Sequence, residues 1–290
     1  IYKPRKSVYG FIKNRSIKEN AENHLNKRYV FNIDLKSFFG TINNKRVRFL
    51  LQSSPFNFPP VIAYAISRLV CFQGYLPQGS PCSPIISNMI AHRMDGELTY
   101  LAKKNNATYT RYVDDITFSF TKRFKALPRD IIDFNNGELN VGVKLNDIIT
   151  SNGFIINQSK VRLGKKSNRM EVTGITVNEK LNVPRKYIRK IRTLIHLIEK
   201  YGEEEANKIF ANFKRSRASK YPPKIEQALF GMLVYLAQII GKDNIIYYNL
   251  AKKYNSFIFK KKLYIIKPRD LQIIDCLLYT SPSPRDRTRS

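Results

Sequence analysis

The sequence predicts an α+β body over about the first 180 residues, then a basic and mostly helical segment. Three observations carry this. Strand-like apolar patterns occur at 29–35 and 109–120. Helical spacing at 59–72 and 85–104 alternates with them. After Pro184 amphipathic helical patterns with a positive stripe take over.

Within 29–35, Val30, Asn32 and Asp34 share one face and Phe31, Ile33 and Leu35 the other. Pro59-Pro60 is a start signal for the helix at 59–72. Three prolines and Gly79 make 76–84 a rigid loop, after which helix resumes over 85–104. The stretch 109–120 reads as a hairpin with Asp114-Asp115 at its tip. Further strands are expected at 155–162 and 171–178. Beyond Pro184, Tyr187, Ile188, Ile191, Leu194, Ile195 and Ile198 form an apolar helical face. Arg185, Arg189, Arg192 and His196 make a basic stripe beside it, at offsets of four, three and four. Helices are also expected at 203–213 and 224–240, before a Tyr/Lys-rich stretch at 247–262.

Composition narrows the function. The 290 residues carry 51 Lys+Arg against 22 Asp+Glu, a formal net charge of +29, with 43% hydrophobic residues. That hydrophobic content excludes disorder, and the charge points to a polyanionic partner, nucleic acid first. The 182–275 segment alone holds 20 basic and 8 acidic residues. No apolar run has the length of a membrane span and no signal peptide is visible, so no membrane partner is expected. Three cysteines exclude a disulfide framework and suggest a reducing cytoplasm.

The chain begins at Ile1 without a methionine, in what reads as a loop, so a fragment is expected. Residues 276–286 look like the in-frame translation of a transposase adapter used in sequencing libraries, and 276–290 is expected to be an artefactual, disordered tail. Setting aside its three arginines and one aspartate lowers the charge only from +29 to +27. Cys71 and Cys82 then remain, too isolated from His pairs for a zinc site.

The carboxylates carry the candidate chemistry. An acidic pair at a turn is ordinarily a solvated turn. Here Tyr109, Tyr112, Ile116 and Phe118 flank it, so rigid, half-buried strands hold Asp114 and Asp115. With Asp34 they make three carboxylates in a basic chain, a donor set suited to Mg²⁺, which takes one or two carboxylates plus substrate phosphates. Two such ions would serve in-line phosphoryl transfer.

Three segments in order, Phe31-Asn32-Ile33-Asp34-Leu35-Lys36-Ser37-Phe38-Phe39, Leu76-Pro77-Gln78-Gly79-Ser80-Pro81-Cys82-Ser83-Pro84 and Tyr109-Thr110-Arg111-Tyr112-Val113-Asp114-Asp115, resemble reverse-transcriptase motifs A, B and C. Asn20-Ala21-Glu22-Asn23-His24 and Val172-Thr173-Gly174 resemble signatures of the bacterial retron type. The resemblance implies a right-hand polymerase palm with partial fingers over 1–180 and a helical thumb over 181–275. It implies an RNA-directed DNA polymerase adding dNTPs to nascent DNA, with a structured noncoding RNA as template and primer. Priming from an internal 2′-hydroxyl would leave RNA-linked single-stranded DNA. An effector protein and a role in phage defence, in the bacterial cytoplasm, are family-level expectations. The resemblance implies basic fingers strands ahead of Ile1, and it leaves open whether the fragment itself is active or inactive. The rivals are a group II intron-like or other prokaryotic reverse transcriptase, and a catalytically idle RNA-binding protein.

The resemblance assigns Asp34, Asp114 and Asp115 to two Mg²⁺ ions. Phe39 would stand against the sugar of the incoming nucleotide and exclude a 2′-hydroxyl, and Gln78 would contact nucleotide or template. Lys160, in a motif D-like segment, is a general acid for pyrophosphate, a phosphate contact or a surface lysine. Arg15 is assigned to template or triphosphate. Asn20 and His24 serve RNA docking or a structural hydrogen bond. The Arg185, Arg189, Arg192 and His196 stripe would follow duplex phosphates. Tyr247, Tyr248 and Tyr254 either stack on bases or pack.

Overall fold

The computed structural model describes residues 2–135, 137–214, 224–257, 262, 263 and 265. The 276–290 tail and much of 257–275 lie outside the described residues. The fold is α+β, in two compact units: one through Leu181, the other from Asn182.

In chain order the first unit holds α1 (Ile17–Glu22), β1 (Tyr29–Asp34), α2 (Asn44–Gln52), α3 (Pro60–Val70), α4 (Ser83–Ile90), α5 (His92–Lys104), β2 (Thr108–Tyr112), β3 (Asp115–Phe120), β4 (Ile132–Asn135), β5 (Glu138–Val141), α6 (Val143–Ser151), β6 (Arg162–Lys165), β7 (Glu171–Val172) and β8 (Ile175–Thr176). Its main sheet runs β2-β3-β1-β6, with all neighbours antiparallel. β1 is central and follows the predicted alternation: Phe31, Ile33 and Leu35 pack into a core with Phe118, Phe120, Met94, Leu98, Leu145 and Phe154. The larger apolar side chains of α5 and α6 thus cover that face. Val30 is buried as well, so the sheet is not open on its other side.

α3 starts at its proline pair as expected, but only Ala63 and Ser67 of it are buried. Its outer face, with that of α2, leaves Phe49, Val61, Tyr64 and Leu69 exposed, Val61 at 79% and Leu69 at 85%. The expected helix at 85–104 is two helices, α4 and α5, meeting at Ala91.

Two predicted strands are corrected. Residues 155–162 are not a strand: Ile156 makes a single bridge to Leu35, and Gln158–Lys160 is a 3-10 turn before β6 begins at Arg162. The backbone there is spent on turn bonds, the Lys160 N–H donating to the Asn157 carbonyl at 3.0 Å and the Val161 N–H to the Gln158 carbonyl at 3.2 Å, so no ladder forms until β6. Residues 171–178 are a hairpin rather than one strand, since Thr173 and Gly174 both adopt positive φ, +47° and +80°, which reverses the chain between β7 and β8.

The second unit contains α7 (Arg185–Lys214), α8 (Ile225–Ile240) and α9 (Ile245–Ser256). Gly202, at φ +72° and ψ 172°, interrupts α7, so the two predicted helices meet there. Ile191, Leu194, Ile195 and Ile198 of α7 are buried, as are Leu229, Leu233 and Leu236 of α8 and Tyr247 and Tyr254 of α9. The Tyr/Lys-rich stretch is therefore helical up to Ser256, and Tyr247 and Tyr254 pack inside the unit. Among the described residues no helix is long and apolar enough to cross a membrane.

Candidate active site

The β1–β3 register sets Asp34 opposite Asp115, the last pair of that ladder. β2 and β3 pair Tyr112 with Asp115, leaving Val113 and Asp114 as a two-residue turn. The Leu35 N–H donates to the Asp114 carbonyl at 3.0 Å, which draws the turn against the end of β1. All three predicted carboxylates thus meet at one end of the sheet.

Lys160 joins them from the 3-10 turn, its Nζ donating to Asp34 Oδ2 at 2.9 Å. Asn157 holds the same residue twice: its backbone N–H donates to the Asp34 backbone carbonyl at 2.8 Å, and its Nδ2 approaches the carboxylate Oδ1 at 3.3 Å. Asp34, Asp115, Lys160 and Arg162 line a cleft of about 420 Å³.

Burial, with mutual charge added to it, resists the ionisation of Asp114 and Asp115. Burial first, then the charges of Asp114 and Asp34, push the Asp115 carboxyl up to about 6. Asp114 is raised too, chiefly by burial, with Asp34 adding to it. Lys160 is raised by its hydrogen bond to Asp34 and by that residue's charge. Carboxylates held together at the cost of their own ionisation are a good match to a divalent cation, which relieves the repulsion. Among the described residues no three His, Cys, Asp or Glu side chains form a ready-made cage. Mg²⁺ does not need one, because water and substrate phosphates complete its octahedron.

The other predicted residues fall into three groups. Phe39 opens the 3-10 turn Phe39–Thr41, half-buried, its ring 5.3 Å from Phe38 and 6.2 Å from Phe11. Gln78 is exposed, in a loop anchored to that turn: the Leu76 N–H donates to the Ile42 carbonyl at 2.9 Å, and Ser83 Oγ to the Pro77 carbonyl at 2.6 Å. Arg15 is engaged elsewhere, its Nη1 donating to the carbonyls of Arg5 (2.7 Å) and Val8, so it closes the N-terminal loop. Arg185, Arg189, Arg192 and His196 belong to the second unit and are all exposed on α7.

His24 is fully buried, its ring nitrogens 2.7 Å from Ser119 Oγ and Thr110 Oγ1, and burial lowers its pKa to about 3. It is a neutral clamp joining the segment after α1 to β2 and β3. Asn20 Nδ2 lies 3.5 Å from Thr173 Oγ1, in the β7–β8 turn.

Sequence reading missed Asn157, Arg162 and a buried charge pair, Arg111 and Asp95. Arg111 Nε and Nη2 donate to the two Asp95 oxygens at 2.7 Å each, with both side chains essentially inaccessible to water. Arg111 lies within the motif C-like segment, so its place in the chain was a signal; its partner, 16 residues earlier on a helix, had none.

The family described as "Reverse transcriptase (RNA-dependent DNA polymerase)" matches residues 3–177. Retron Mx162 reverse transcriptase from Myxococcus xanthus is 33% identical over 215 residues, which cover 66% of this chain and 43% of that protein. Retron Ec86 reverse transcriptase from Escherichia coli is 32% identical over 190 residues, 65% of this chain and 55% of that protein. The chain spans about half the length of these curated relatives. A solved telomerase from Candida albicans, in complex with a TWJ fragment of telomeric RNA, aligns at a TM-score of 0.43 and 9% identity over 96% of this chain and 56% of that one, too low to carry weight.

Proposed function

The chain belongs to the reverse transcriptase family, and from that premise we propose that its parent protein is an RNA-directed DNA polymerase of retron type acting in the bacterial cytoplasm. It extends a DNA 3′ end with dNTPs, using a structured noncoding RNA as template and primer. The observation that supports this most is the pairing of Asp34 with Asp115 at the sheet end, with Asp114 beside them and Lys160 on Asp34.

In this reading Asp34, Asp114 and Asp115 hold two Mg²⁺ ions, which when bound supply the charge that polarises the attacking and leaving oxygens. Phe39 limits the space beside the nucleotide sugar. Gln78 contacts the nascent pair from a loop whose backbone Gly79 leaves open, at φ +91°. Lys160, exposed on the cleft wall, neutralises Asp34 until phosphates arrive and then serves the pyrophosphate side. The exposed α7 stripe contacts duplex phosphates without reading sequence.

The test is extension of a primer on an RNA template by the full-length parent, expressed with its flanking DNA, beside the Asp114→Asn/Asp115→Asn variant. Small single-stranded DNA joined to RNA, present only with intact aspartates, is the expected product. Extension of a generic template without such DNA would replace retron type by another reverse transcriptase. RNA binding with no extension in either protein would overturn the polymerase reading.

A further inference from the structure

Beneath the Val113-Asp114 turn lies a buried polar network that none of these roles uses. Arg111 is 0% exposed. Besides its two bonds to Asp95, its Nη2 donates to Asn88 Oδ1 at 3.1 Å and its Nη1 folds forward to the Val113 carbonyl at 2.8 Å. The other end of Asn88 donates from Nδ2 to the Gly10 carbonyl at 3.0 Å. Gly10 lies directly on the turn: a Cβ there would stand 2.5 Å from the Val113 nitrogen and 2.7 Å from its Cγ2. Val113 itself is at φ +61°, a conformation a β-branched residue adopts only under constraint.

We propose that Arg111, Asn88 and Gly10 are positioning residues that hold Val113 in its left-handed conformation and so aim the Asp114 and Asp115 carboxylates. A buried ion pair is a poor source of stability compared with apolar packing. What Arg111 supplies that an apolar side chain lacks is a directed donor, and it is directed at the turn. Asn88 uses both ends of its amide, tying that donor to the strip of backbone at Gly10. Gly10 has no side chain to keep the strip away from Val113. Arg111 holds Val113 from its carbonyl side and Gly10 from its nitrogen side, while Asn88 ties those two holds together, next to the first of the two aspartates.

The inference rests on the aspartates being metal ligands, and the test separates the two ideas. Mn²⁺, a hard oxygen-seeking ion that electron paramagnetic resonance detects directly, is titrated into the chain itself, with circular dichroism confirming the fold of every variant. Wild-type chain is expected to bind Mn²⁺ in a manner lost with Asp114→Asn. Asn88→Ala is expected to weaken that binding about 10-fold, the scale of losing a group that orients a ligand. Val113→Asn added to Asn88→Ala should recover much of it, because Asn tolerates positive φ without outside help. A scaffold role alone would not be rescued by a turn substitution. Asn88→Ala binding like wild type, or a loss that Val113→Asn leaves untouched, overturns the positioning role. Binding indifferent to Asp114→Asn overturns the metal-ligand reading, and this inference with it.

Discussion

Of the three site aspartates, Asp115 is the one whose ionisation the fold resists most. Its carboxyl is raised from 3.8 to about 6. A group that holds its proton more tightly when folded favours the folded state at low pH and loses that contribution as pH rises toward the folded value. Asp115→Asn should therefore stabilise the metal-free protein at pH 7–8 by about 1–2 kcal/mol, below the full value of the shift because solvent screens a partly exposed carboxyl. The gain should vanish below pH 4, which thermal melts across that range will check. Arg111–Asp95 behaves oppositely. Removing one partner, as in Asp95→Ala, strands a buried charge and should cost about 3–5 kcal/mol in a urea melt. Phe39→Ala in the parent enzyme should raise NTP use relative to dNTPs by roughly 10-fold or more, read from competing CTP and dCTP. At this scale the three aspartates were legible because a carboxylate between apolar strand residues is conspicuous. Arg111–Asp95 was not, since a contact between a strand and a helix leaves no periodic trace.

Elements show the same division between local and distant causes. β1, β2 and β3 were readable from alternation, and α3 and α8 from proline and apolar spacing. α2 was missed although Asn43 caps it, accepting from the Arg46 N–H at 3.0 Å, because Val47 is its one buried residue and the apolar stripe is thin. Residues 171–178 misled because their alternation is real on both sides of a turn; only the positive φ at Thr173 and Gly174 separates the strands. Gly174→Ala should lower stability by about 1 kcal/mol, from left-handed strain, in a denaturant titration. On α7 the apolar and basic faces came out as read, with Ile191 and Ile195 buried and Arg189 and Arg192 exposed. If that stripe contacts phosphates, Arg189→Ala with Arg192→Ala should weaken binding to all duplexes alike. The salt dependence, log affinity against log salt, should flatten by about 1.8, measured by fluorescence anisotropy.

For the molecule as a whole, charge decides more than packing. A formal +29 over 290 residues makes polyanion binding a property of the entire surface as well as of α7. The charge also governs how copies of the chain treat one another in solution. Like-charged molecules repel across about 10 Å at 0.1 M salt and across only about 3 Å at 1 M. Between copies of this chain that repulsion opposes contact through the outer face of α2 and α3, where Leu69 and Val61 lie open. Ionic strength thus pulls in two directions. The brine that strips bound RNA from the protein also removes the cushion between bare hydrocarbon faces. Static light scattering should find the second virial coefficient of nucleic-acid-free protein positive at low salt and negative at high salt. Leu69→Glu should move that crossing to higher salt, so this chain keeps best in dilute electrolyte and salts out early.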